Sequence, residues 1–247
     1  MLRRALCLGA LAVTLPAQSV IPVKAGLISY AGDAYLDDRP VAASANHMVM
    51  MKAHDVVRTG ADRAEVLLGP CSAMWIDEGS SFRLVSNALD DVRLEVLRGS
   101  VVVAVGDLIR GTRVTLLLQS SSAGLDGRGA YRFDAGPPRL KTLAGRIALQ
   151  FANRTLSIPA GRTFALDSST EPARFDRQNP DGFETWSKGR AAYLARLSGQ
   201  QKTNRLEPPT GDEASSRVRS ANNPSHFPIP PDGLPNPPSV GCGVTPW

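Results

Sequence analysis

The chain has 247 residues, 43% of them hydrophobic and 21% charged, with a net charge of +5. That length and apolar content bury one sizeable core. No run of five or six like charges supplies the concentrated basic patch that a nucleic-acid partner needs. Three cysteines with neither a CxxC nor a Cys/His spacing suited to zinc offer no structural metal site.

In chain order, Met1-Leu2-Arg3-Arg4 is a basic start, Ala5 to Leu15 an apolar run of 11 residues, and Pro16-Ala17 a small-residue exit. Residues 1–17 therefore read as a secretory signal peptide cleaved near Ala17 or Gln18. The run is shorter than the roughly 20 residues of a membrane span, so no integral span is expected there. Cys7 lies inside the run, which does not fit lipid attachment. Trimming removes Arg3 and Arg4 and leaves 26 Lys+Arg against 23 Asp+Glu, a net +3. It also leaves Cys71 and Cys242. In an oxidising compartment these two could pair as a disulfide tying the tail to the core; otherwise Cys71 is a small buried side chain and Cys242 a free thiol.

Residues 25–167 carry nearly all the strand signal. Gly26-Leu27-Ile28-Ser29-Tyr30 opens it, and short β-rich runs follow at about 55–60, 64–68, 72–77 and 81–85. Val92 to Val105 alternates apolar and polar residues as far as Arg98-Gly99, then becomes a continuous β-branched run. Period-two alternation marks a half-buried strand. The pattern Arg93-Leu94-x-x-Leu97-x-Gly99-x-Val101-x-Val103 returns 46 residues later as Arg139-Leu140-x-x-Leu143-x-Gly145-x-Ile147-x-Leu149, and a shorter echo follows around Gly161. Each of these glycines is expected at a corner, with positive φ or a close backbone approach. Short strands with turn signals every 8–12 residues predict one all-β domain, either β-solenoid or sandwich-like. The glycines of Gly124-Leu125-Asp126-Gly127-Arg128-Gly129 read as a hairpin turn supplied with positive φ, since neither Lys-Ser/Thr nor a helix pattern follows to make a phosphate loop.

Past Asp167 the composition shifts. Phe183, Trp186, Tyr193, Leu194 and Leu197 share one side of a predicted helix over 181–198, started by Asn179-Pro180-Asp181 and stopped by Gly199. The stripe is expected to pack on the sheet through Trp186. Residues 200–247 read as a disordered Pro/Ser/Asn-rich tail; ten of the 19 prolines fall within 207–247.

Catalytic chemistry finds no foothold. His54-Asp55 sketches a base and its orienting group, but no G-x-S-x-G elbow accompanies it. The pairs Asp37-Asp38 and Asp90-Asp91 are adjacent in sequence and belong to turns. Tyr30, Tyr35 and Tyr131 suit cross-strand packing. No catalytic, cofactor-binding or metal residue is assigned and no cofactor is implied; the reading is of a protein that is not an enzyme.

One resemblance gathers these pieces. His54-Asp55-Val56-Val57-Arg58-Thr59-Gly60-Ala61-Asp62-Arg63-Ala64-Glu65-Val66-Leu67-Leu68 resembles the G-D-x-V-x-T-G-x-x-S-x-A-x-L signature of FecR-like domains, with His54 in place of the leading glycine and Arg63 in place of the serine. Leu94-x-x-Leu97-x-Gly99-Ser100-Val101 is similar to that family's central strand pair, and Ala130 to Asp134 and Leu143 to Leu149 to its closing strands. The resemblance covers roughly 25–167. Asp181-x-Phe183-x-x-Trp186-x-x-x-Arg190-x-x-x-Leu194 resembles a helix that follows such domains in secreted proteins. It implies a periplasmic or secreted, non-enzymatic binding or scaffold module of the bacterial cell envelope, with an envelope protein or cell-wall polysaccharide as partner. A sensory subunit in sigma-factor-type signalling is the alternative. The FecR regulator's cytoplasmic and membrane-spanning parts have no counterpart in the sequence, so its iron-relay role is not carried over.

Overall fold

A computed structural model describes residues 24–41, 47–69, 71–106, 112–125, 127–168, 171–206 and 247, with helix side chains as far as residue 196. The expected signal peptide lies outside the described residues, and so does the expected disordered tail over 207–246; its first residues, 200–206, are helical instead and belong to the chain's one described helix. In chain order the strands are β1 (Leu27–Ala31), β2 (Ala34–Leu36), β3 (Arg39–Pro40), β4 (Val49–Met50), β5 (Val56–Thr59), β6 (Ala64–Gly69), β7 (Ser72–Ile76), β8 (Ser81–Ala88) and β9 (Asp91–Arg98). There follow β10 (Ser100–Val105), β11 (Val114–Leu118), β12 (Ser121–Gly124), β13 (Gly129–Ala135), β14 (Pro138–Ala144), β15 (Arg146–Phe151), β16 (Arg154–Pro159), β17 (Arg162–Ala165) and β18 (Ala173–Arg174). One helix, α1 (Gly182–Leu206), closes the described fold.

These strands form a sandwich. Sheet I runs β18-β17-β14-β13-β10-β7-β6-β1-β4, and sheet II runs β16-β15-β12-β11-β9-β8-β5-β2-β3. The chain lays down one or two strands in one sheet, crosses to the other and returns, so both sheets grow together along the chain. Their facing side chains make one core, including Val57, Val66, Met74, Phe82, Leu94, Val101, Val103, Leu116, Phe133 and Leu149.

The two textures of the sequence report two environments. In sheet II, β9, β11 and β15 alternate buried and more exposed residues, since one face meets the core and the other water. In sheet I, β7 is buried at every position and β10 at all but its first. That needs cover on both faces, and α1 provides the second. The change of texture at Gly99 is the crossing from sheet II into sheet I.

Gly99, Gly145 and Gly161 are the expected corners, with φ of +73°, +75° and +81°. Each joins a strand of one sheet to a strand of the other. A Cβ on Gly99 would stand 2.7 Å from the Ser80 Cα, and one on Gly145 would stand 2.3 Å from the Arg128 carbonyl oxygen. The 46-residue echo crosses in opposite senses, however. Its first copy passes from sheet II to sheet I and its second from sheet I to sheet II, so Leu97 faces solvent at 39% exposure whereas Leu143 is buried beneath α1.

Three expectations change. Gly127 and Gly129 lack positive φ, and the chain passes from β12 in sheet II to β13 in sheet I instead of closing a hairpin. Gly129 is small for another reason: a Cβ there would meet the Tyr131 hydroxyl at 2.2 Å and the Ala144 carbonyl oxygen at 2.8 Å. Second, strand pairing continues beyond 167 through β18. Third, α1 does not stop at Gly199 and runs to Leu206. A glycine inside a helix costs only about 1 kcal/mol, and the helix formers Gln200, Gln201, Lys202 and Arg205 carry it on until Pro208-Pro209 approaches.

Candidate functional site

Where α1 crosses the outer face of sheet I, buried charge and aromatic side chains converge. The helix starts at Asp181, whose Oδ1 accepts the Glu184 backbone N–H at 2.8 Å. This is an N-cap bond from a residue that also suits the positive end of the helix. Phe183, Ser187, Arg190, Ala191 and Leu194 then repeat on one buried face. Beneath them lie Leu67, Ala73, Trp75, Val102, Ala104, Ala130 and Leu143.

The centre of this interface is ionic. Glu65 on β6 is almost wholly buried, and its carboxylate accepts from Arg190 at both oxygens, Nε to Oε2 at 2.9 Å and Nη2 to Oε1 at 3.0 Å. The same carboxylate accepts the Trp75 indole N–H at 2.8 Å and the Ser29 hydroxyl at 2.8 Å. Burial pulls the pKa of Arg190 down, but the charge and hydrogen bonds of Glu65 outweigh it and hold the guanidinium above its ordinary value. The Arg190 guanidinium lies over the rings of Tyr30 and Tyr193, 5.3 and 5.0 Å from their centroids.

A second cluster secures the helix N-terminus. Arg132 on β13 donates from Nε to Asp134 at 2.8 Å and from Nη1 to Glu184 at 3.1 Å, and also pairs with Asp181. Lys141 on β14 reaches the same Glu184 oxygen at 2.8 Å. Burial raises the Asp181 carboxyl, yet the Glu184 N–H and the Arg132 guanidinium together hold it below its usual value. The Phe183 ring meets the guanidinium groups of both Arg63 and Arg132, at 5.7 and 5.6 Å from its centroid. Trp186 packs beside Phe183, Tyr30 and Arg63. Chemically this is a latch: every buried charge described here faces an opposite one.

Trp186 is the one predicted structural residue that enters the site. Gly99, Gly145 and Gly161 sit at the corners between the sheets. Gly60, in the β5–β6 turn, has no positive φ; a Cβ there would lie 1.9 Å from the Asp33 carboxylate, so close approach explains it. His54, where the signature has glycine, does adopt φ of +73°, and Asp55 accepts the Lys52 backbone N–H at 2.7 Å. That pair builds a turn. Asp37-Asp38 also occupies a positive-φ turn, between β2 and β3. Tyr131 is a core residue whose hydroxyl donates to the Arg146 carbonyl at 2.9 Å. Tyr35 lies beneath the Arg58 guanidinium.

Cys71 is buried in the β6–β7 turn and is disulfide-bonded. Cys242 lies outside the described residues. The terminal Trp247 packs against Trp75, with ring centroids 5.7 Å apart.

Neither a family model nor a curated protein matches this chain. Solved structures do, among them two crystal structures, each of a "putative anti-sigma factor" from Parabacteroides distasonis. The structure at 1.65 Å resolution is 10% identical, with a TM-score of 0.42 over 56% of this chain and 63% of that one. The structure at 2.50 Å is 11% identical, with a TM-score of 0.44 over 57% and 71%. The chain thus spans about 63% of the length of the first. At these values the likeness says nothing of function.

Sequence reasoning singled out the helix motif with Arg190 but missed Glu65, which pairs with Arg190 and accepts from Trp75, and missed Glu184, which meets Arg132 and Lys141 at the helix start. The available signal was a charged residue inside a strand too apolar to be half exposed, as in Ala64-Glu65-Val66-Leu67-Leu68. A carboxylate in such a place needs a buried cation.

Proposed function

We infer that this protein is a non-enzymatic, FecR-like module of the bacterial cell envelope, exported through a cleaved signal, that works as a rigid binding or scaffold unit. The observation that supports this reading is the meeting of its two family-like motifs. Glu65 of the signature segment and Arg190 of the helix motif, 125 residues apart, form the buried pair that closes one face of the sandwich. Among the described residues, no helix crosses the outer face of sheet II. Strand register lines up Arg83, Glu95, Leu117, Ser122, Gln150 and Thr155 across six neighbouring strands. At about 4.8 Å per strand that row is about 24 Å long, long enough to meet several sugar units of a wall polysaccharide or the face of an envelope protein.

The test mixes the full chain with insoluble peptidoglycan sacculi and, separately, cross-links it in intact cells. Sedimentation with sacculi that is weakened by Gln150→Trp on that row supports wall binding. A single cross-linked envelope protein, lost with the same substitution, supports a protein scaffold, and a membrane regulator as that partner makes the chain a sensory subunit. Recovery from the cytoplasm with Met1 still in place overturns the reading.

A further inference from the structure

Two observations along β7 concern the C-terminus. Cys71, in the turn before β7, is disulfide-bonded. Trp247, the last residue, lies against Trp75 on the outer face of β7 and joins the cluster under α1. The remaining cysteines of the chain are Cys7, inside the apolar leader, and Cys242, five residues before Trp247. Trp75 lies four residue steps along the chain from Cys71, about 13 Å at 3.3 Å per residue. Five residues of extended chain reach at most about 17 Å. A segment whose last ring sits on Trp75 therefore has the length to bring a cysteine five residues earlier to Cys71, and the sequence has its cysteine at that distance.

We propose that the outer face of β7 is the docking site of the chain's own C-terminal segment 242–247, held by a Cys71–Cys242 disulfide at one end and by the Trp247 indole on Trp75 at the other. The bond forms by thiol–disulfide exchange. The two thiols give up two electrons and two protons to the disulfide of an oxidising dithiol partner, which leaves as two thiols. The strap has consequences for the fold. It covers the Trp75 end of the seam between α1 and sheet I. The pairing belongs to the isolated chain, so it stands or falls apart from the envelope reading.

The test is a tryptic map of the full chain, oxidised with glutathione disulfide and digested without reductant. The expected product links residues 64–83, which contain Cys71, to residues 220–247, which contain Cys242. Residues 64–83 linked to residues 5–24, which contain Cys7, or to the same peptide of a second copy, would overturn the proposal. A second reading covers the aromatic anchor. The coupled tryptophan band in the ultraviolet circular dichroism should vanish in Trp247→Ala, and thiol reductant should open the disulfide of that variant faster than in the parent. An unchanged spectrum and an unchanged opening rate would show that Trp247 does not seat on Trp75, and would overturn the docking site even if the sulfur link is found.

Discussion

Replacing Arg190 by alanine tests the latch most directly. Glu65 has 1% of its side chain exposed and would keep the Trp75 indole and the Ser29 hydroxyl as donors, but no cation. Leaving one partner of a buried ion pair uncompensated costs about 3–5 kcal/mol. With a urea dependence of about 2 kcal/mol per molar, typical for a domain of this size, the unfolding midpoint should drop by roughly 1.5–2.5 M. Urea titration followed both by tryptophan fluorescence and by helical circular dichroism provides the assay, since Trp75 and Trp186 lie in the seam and α1 carries the helical signal. The double variant Glu65→Leu/Arg190→Met removes both charges at similar bulk and should recover much of the loss. It should not recover all of it, because the Trp75 and Ser29 donors lose their acceptor at about 1–3 kcal/mol each. A midpoint for Arg190→Ala within about 0.3 M of the parent would refute the reasoning, since a uniform shift that small corresponds to well under 1 kcal/mol.

Gly99→Val and Gly145→Val should each lose about 1–3 kcal/mol from the left-handed backbone alone, with the collisions at Ser80 and Arg128 added. Gly127→Ala, which meets nothing within 4 Å, should stay within about 0.5 kcal/mol by the same urea titration. Phe183→Ala should cost about 3–5 kcal/mol as a buried aromatic. Trp186→Ala, only partly buried, should cost less but still lower the melting temperature, and equal melting of parent and variant would leave its ring uninvolved in docking. Because the folded Asp181 carboxyl lies below its ordinary value of 3.8, its contribution is present above that pH and is lost as the pH falls through the lower folded value. Acid titration of stability should therefore be less steep below about pH 4 in Asp181→Asn than in the parent, and identical profiles would contradict the pairing with Arg132.

Local chemistry settled much of this protein from its sequence. Alternation in Val92–Arg98 made a half-buried strand, the β-branched run after Gly99 made a second strand, and Asn179-Pro180-Asp181 marked a helix start because an acid suits the positive end of the helix. Glycines recurring between strand patterns marked the corners, since positive φ at those points excludes most side chains. Periodicity states that a face is buried, but not what buries it. Only the folded chain decided that the cover of β7 and β10 is α1, and that the isolated acid of β6 meets an arginine 125 residues later. The opposite crossings of the two echoed units likewise follow from strand order, which left Leu97 in water and put Leu143 under the helix. Gly60 and Gly129 are small because Asp33, Tyr131 and Ala144 come close in space, and α1 passes Gly199 because flanking helix formers outweigh one glycine. Such outcomes depend on register and on partners far apart in the chain, and a linear pattern records neither.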